Sequence, residues 1–112
     1  MPRYLISFAA HAMDHIPEED MSTVSEAAHA VVQEAMDAGV WVFGGGILDQ
    51  KARIVAGDGA VTDGPYPEAV GGMSIVDVPS REEAVEWAAK IAVACRCAQE
   101  VREFMPDPAV GN

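Results

Sequence analysis

The sequence predicts an α+β domain: a small antiparallel sheet carrying two helices on one face. Three observations predict it. The pattern of hydrophobic residues runs strand, helix, strand, then a hairpin, then strand, helix, strand. Two helices against four or five strands suit one sheet face rather than two. The chain has 112 residues, half of them hydrophobic, which fits a single domain over 1–112 with one core.

Residues 3–10, "RYLISFAA", alternate Tyr4, Ile6 and Phe8 against Leu5, Ser7 and Ala9, which reads as a strand. Residues 11–20, "HAMDHIPEED", form a polar loop containing Pro17. A helix follows, with Thr23 and Glu26 at capping-box spacing and Val24, Ala28, Val31 and Ala35 as its buried stripe. Ser25, His29, Gln33 and Asp37 share its polar side, and Gly39 ends it. Val40 to Phe43 favour a strand, and Gly44 to Gly46 mark a bend or a close backbone approach. No helix follows these glycines, so they do not form a phosphate-binding loop. "ARIVAGDGAVT" predicts a hairpin turning at Asp58-Gly59. Met73 to Val78 form the next strand. Ser80 and Glu83 cap a second helix whose inner face carries Ala84, Trp87, Ala88 and Ile91. "QEVREFM" from Gln99 is the last strand, stopped by Pro106 and Pro108.

Composition removes several classes of function. Eighteen acids against seven bases give a formal net charge of −11. Such a surface repels phosphate backbones and anionic lipid, so no nucleic acid and no membrane partner is expected. No apolar run approaches the roughly 20 residues that cross a bilayer. The start, "MPRYLISFAAHAM", is too short an apolar stretch for a secretion signal, and a cytoplasmic location is expected. Cys95 and Cys97 fit neither a redox Cys-x-x-Cys pair nor a disulfide framework, which leaves two reduced thiols.

With both helices on one face, the other face of so small a sheet has to be covered. A homodimer joined sheet to sheet answers that need.

The chain resembles the YCII-related superfamily, and within it the DGPF-domain branch. The resemblance rests on "VTDGPYPE" (61–68), "GGMSIVDV" (71–78), "EEAVEWAAK" (82–90) and "EVR" (100–102), with "AGVWVFGGGI" (38–47) in support. It implies a ferredoxin-like fold that pairs into a dimeric α/β barrel. Two departures stand out: "PYPEAVGG" is shorter than usual and lacks the family's Lys and Glu, and Tyr66 replaces the motif's Phe. The wider superfamily pairs a helix His with an Asp after the second strand. Asp49 sits where that Asp is expected, whereas His29 falls one residue beyond the helix position, which Ala28 occupies. One residue turns a helix side chain by about 100°.

Several residues are candidates for chemistry, each with a plainer reading. Asp63, held by Gly64 and Pro65, is either a general base or the acceptor of an Asx-turn. Tyr66 can polarise a carbonyl or pack at a dimer seam, and Glu68 can shuttle a proton or sit solvated. His29 with Asp49 is an acid–base couple or an exposed helix histidine and its distant neighbour. His11, Asp14 and His15 carry nitrogen and oxygen ligands that suit zinc, but no fourth ligand declares itself, so no metal site is expected. Their loop reads as part of a pocket mouth, with His11 and His15 among the substrate-binding residues. No nucleotide, flavin or pyridoxal signature is present, and no cofactor is expected. The function expected is cofactor-free acid–base chemistry, of isomerase or lyase type, on a small, cyclic or aromatic metabolite. The alternatives are a non-catalytic ligand-binding or regulatory module and a purely structural dimer.

Overall fold

The computed structural model describes residues 1–66 and 68–112. Four strands form one sheet: β1 (Arg3–Ala9), β2 (Trp41–Gly46), β5 (Val70–Asp77) and β6 (Glu100–Glu103), in the order β2-β5-β1-β6. All three pairings are antiparallel. Between β1 and β2 runs α1 (Met21–Asp37), and between β5 and β6 runs α2 (Arg81–Cys95). Each helix therefore joins two strands that flank a third, which is the interleaved arrangement of a ferredoxin-like domain. The hairpin is real but belongs to no main strand. β3 (Ile54–Val55) and β4 (Val61–Thr62) make a two-stranded sheet of their own. Asp58 Oδ1 accepts from the Ala60 amide at 2.9 Å to close its turn. The hairpin stands away from the sheet, and the radius of gyration is accordingly 15.6 Å against about 13 Å for a compact chain of this length.

Strand register explains which side chains enter the core. Tyr4 faces Val76, Ile6 faces Ser74 and Phe8 faces Gly72 across β1 and β5. Their neighbours Leu5 and Ile75 face each other on the opposite side. Tyr4, Ile6, Val76 and Val78 pack beneath Ala84, Ala88 and Ile91 of α2 to form the core. Ile6 and Val78 are fully buried.

The helices differ in how the chain starts and stops them. Ser80 Oγ accepts from the Glu83 amide at 3.2 Å, so the expected cap of α2 is present. The expected Thr23–Glu26 box of α1 is not. A 3-10 turn over Glu18–Asp20 leads straight into the helix, which begins at Met21. Asp20 holds the cap position without a side-chain cap bond, because its carboxylate pairs with Arg96 Nη1 at 3.0 Å. That pair, together with Lys90 to Glu34, ties α1 to α2. Gly39 ends α1 at φ +74° as the sequence predicts. The ends of β5 and β6 also shift. β5 starts at Val70 rather than Met73, and β6 stops at Glu103 rather than Met105.

The second face of the sheet is bare. Leu5 and Ile75 are half-buried there, and Phe43, which pairs with Ile75, is 67 % exposed. No helix among the described residues is long and apolar enough to cross a membrane.

Candidate functional site

Two hollows adjoin at the end of the sheet where β1 meets the loop after it. Phe8, Met13 and Gly46 line both and form their common wall. The Phe8 ring lies against Gly71 and Gly72, where any added Cβ would come within 2.7 Å of it.

The first hollow is a vestibule of about 900 Å³ whose mostly apolar walls carry several polar side chains. Its walls are the loop after β1, the stem leading from β2 to the hairpin, and the stem returning to β5. These three segments bring His11, Asp14, Asp49, Lys51, Tyr66 and Glu68 to one opening. His11 is fixed within a tight turn: its carbonyl accepts from the Asp14 amide at 3.1 Å, and its backbone takes the left-handed φ of +68°. Histidine tolerates that region better than most residues, though at a cost in strain. The turn sets His11 Nδ1 at 2.9 Å from Asp14 Oδ2. When Nδ1 donates to the carboxylate, Nε2 is left with its lone pair free to accept a proton. Both side chains remain about two-thirds exposed.

The second hollow is an apolar chamber of about 440 Å³ between α1 and the sheet. α1 leans on α2 and stands off the strands, so that only Val24 and Ala35 of its 17 residues are buried. Ala28 and Val31 pack against the edge of the core but are only half-buried, and they form the chamber roof. Trp41, Ser74 and the β2 backbone at its glycines form its floor.

The residues singled out from sequence fall into three groups. Tyr66, Glu68, Asp49 and His11 share the vestibule. His29 is exposed at the edge of the chamber, with Ser25, so His29 and Asp49 line different hollows. His15 is exposed and lines neither, and Asp63 lines neither. Asp63 is 82 % exposed and pairs with Arg53 Nε at 3.3 Å. Its partner across the hairpin stem gives it a structural task. Gly64 beside it has φ +133°, a conformation that reserves the position for glycine.

Sequence reasoning missed the His11–Asp14 couple as a couple, treating both as candidate metal ligands in a loop. Spacing of three in a loop fixes no geometry. Only the left-handed backbone at His11 turns one side chain onto the other. No group of three or more His, Cys, Asp or Glu side chains capable of holding a metal occurs among the described residues.

Cys95, which lines the chamber, and Cys97 are free thiols. Burial holds both thiols above their ordinary pKa, because it disfavours the charged thiolate. The thiolate is the reactive form, so both should alkylate more slowly with iodoacetamide at pH 8 than free cysteine does. Unfolding in guanidinium should remove the difference. Fast labelling of the native protein would contradict the burial of these residues.

Together these features define a ferredoxin-like α+β domain with two adjoining hollows at one end of its sheet. The sequence profile of the YCII-related domain matches residues 6–106, and the chain belongs to that family. No relative was found among curated proteins.

Proposed function

We propose that the protein is a cofactor-independent acid–base enzyme acting on a small cyclic metabolite, by isomerisation, elimination or dehydration. The observation that carries this reading is the His11–Asp14 couple, held at 2.9 Å in the same hollow as Tyr66. Asp14 orients the imidazole and stabilises its protonated form. His11 Nε2 takes a proton from the substrate carbon, and the Tyr66 hydroxyl donates to the oxygen on which charge develops. Asp49 or Glu68 returns a proton at a second position. One placed base and one donor supply the chemistry, without an electron carrier. Asp63 is left out of this scheme because it is exposed and paired with Arg53.

A thermal-shift screen against uncharged cyclic metabolites tests it. A ligand that binds only the folded state raises the melting temperature. The compounds that do so are then incubated with the protein and analysed for isomerised or dehydrated product. Conversion without added cofactor supports the reading. Binding without conversion supports the alternative of a ligand-binding module, which the solvent exposure of the His11–Asp14 couple favours.

The working unit is proposed to be a homodimer, with the bare sheet faces of two copies packed together. The support is Phe43, Ile75 and Leu5, which would otherwise leave an apolar strip in water. Light scattering at micromolar concentration should give twice the 11.8 kDa chain mass. Phe43→Asp should return it to the monomer. A monomeric wild type would overturn this assembly.

A further inference from the structure

The apolar chamber is large for a space that a chain of this size leaves unfilled. It is a half-open hollow rather than an enclosed void, and its 440 Å³ lies in the range of small-ligand pockets. Three features argue that it is built to be filled. First, its lining holds no Asp, Glu, Lys or Arg, in a chain where 22 % of residues are charged. Second, three methionine side chains line it, those of Met13, Met21 and Met36. Methionine side chains are flexible and polarisable and adapt to an aromatic surface.

Third, the glycines of β2 divide into two kinds. Gly44 has a steric reason: a Cβ there would come within 2.6 Å of the Met73 carbonyl and 2.8 Å of the Trp41 ring. Gly46 has none. It lies on the same face of the sheet, opposite Gly72. Its φ is outside the left-handed region, and nothing stands within 4 Å of where its Cβ would be. A glycine inside a strand weakens it and often marks where a ligand approaches the backbone. The open space in front of Gly46 is the junction of chamber and vestibule.

We propose that the chamber binds the body of an uncharged molecule built on one or two rings, inserted past Gly46 with its polar end left in the vestibule. Charged ligands are excluded because nothing in the lining would compensate their desolvation. The volume admits one or two rings and excludes a peptide segment. Ser25, His29 and Gln99 at the edge can hydrogen-bond a ring substituent. The orientation rests on the acid–base reading of the vestibule, whereas the binding itself does not.

The probe is 6-propionyl-2-dimethylaminonaphthalene, a neutral fluorophore built on two fused rings that brightens in apolar surroundings. Wild-type protein should bind it saturably at one per chain. Gly46→Val fills the junction from the floor, and Ala28→Phe fills the chamber from the roof. Each should weaken the probe by about tenfold or more, since a methylene or ring placed in an occupied pocket removes the ligand's space. The second variant keeps the test valid if the first fails to fold. His11→Asn alters only the vestibule and should leave probe affinity unchanged. Loss of turnover in that variant, or absence of turnover in the wild type, therefore bears on the acid–base reading alone. Two results would overturn the proposal: no saturable binding by the wild type, as when α1 settles onto the sheet and closes the chamber, or unchanged affinity in folded Gly46→Val and Ala28→Phe.

Discussion

His11→Asn is expected to slow turnover of the compound found by screening by about 10²–10⁴-fold, the usual loss when a general base is removed. Asparagine suits the left-handed φ of +68° at this position and can still donate to Asp14, so the turn survives. The melting temperature should therefore stay within about 2 °C, since surface substitutions without a structural role cost under about 0.5 kcal/mol. Asp14→Asn should produce a smaller loss through misorientation of the ring, with binding of the ligand retained. Asp63→Asn should leave turnover unaltered, because that carboxylate lies outside both hollows and pairs with Arg53. If Asp63→Asn abolishes turnover while His11→Asn does not, the base has been assigned to the wrong residue.

Ile6→Ala is expected to produce the largest loss of stability. Ile6 is 0 % exposed at the centre of β1, facing Ser74 on one side and Val101 on the other. Truncating a buried isoleucine costs about 2–5 kcal/mol in lost burial and cavity. A domain of this size has about 5–15 kcal/mol in all, so the melting temperature should fall by about 10 °C or more. Denaturant unfolding measures it directly. A loss under about 1 kcal/mol would mean that the face of the sheet under α2 is not the core.

The sheet and its helices were legible because their signals are local and periodic. Alternation in "RYLISFAA" and "GGMSIVDV" marked β1 and β5, and Ser80 with Glu83 marked the start of α2. The start of α1 was misread because Asp20 answers to Arg96, a residue 76 positions away, and no local pattern announces that pair. The chamber was hidden for a related reason. The stripe Val24, Ala28, Val31, Ala35 is what a core-facing helix shows, and the same residues suit a helix that stands off the sheet and roofs a cavity. Periodicity fixes which face is apolar, not how far away its partner lies. The vestibule was partly legible: Tyr66, Glu68, Asp49 and His11 were named, and they converge. Asp63 lines neither hollow, and its pairing with Arg53 was not legible because it depends on the hairpin register. That register pairs Ile54 with Thr62, which brings the adjacent residues Arg53 and Asp63 side by side.

The most direct test of the account is an amide ¹H–¹⁵N correlation titration with the compound that raises the melting temperature. Vestibule and chamber together predict that the amides of His11, Asp14, Gly46 and Tyr66 shift along with Ala28 of α1. Shifts confined to Phe43 and Ile75 on the bare sheet face, or to the hairpin around Asp63, would contradict it.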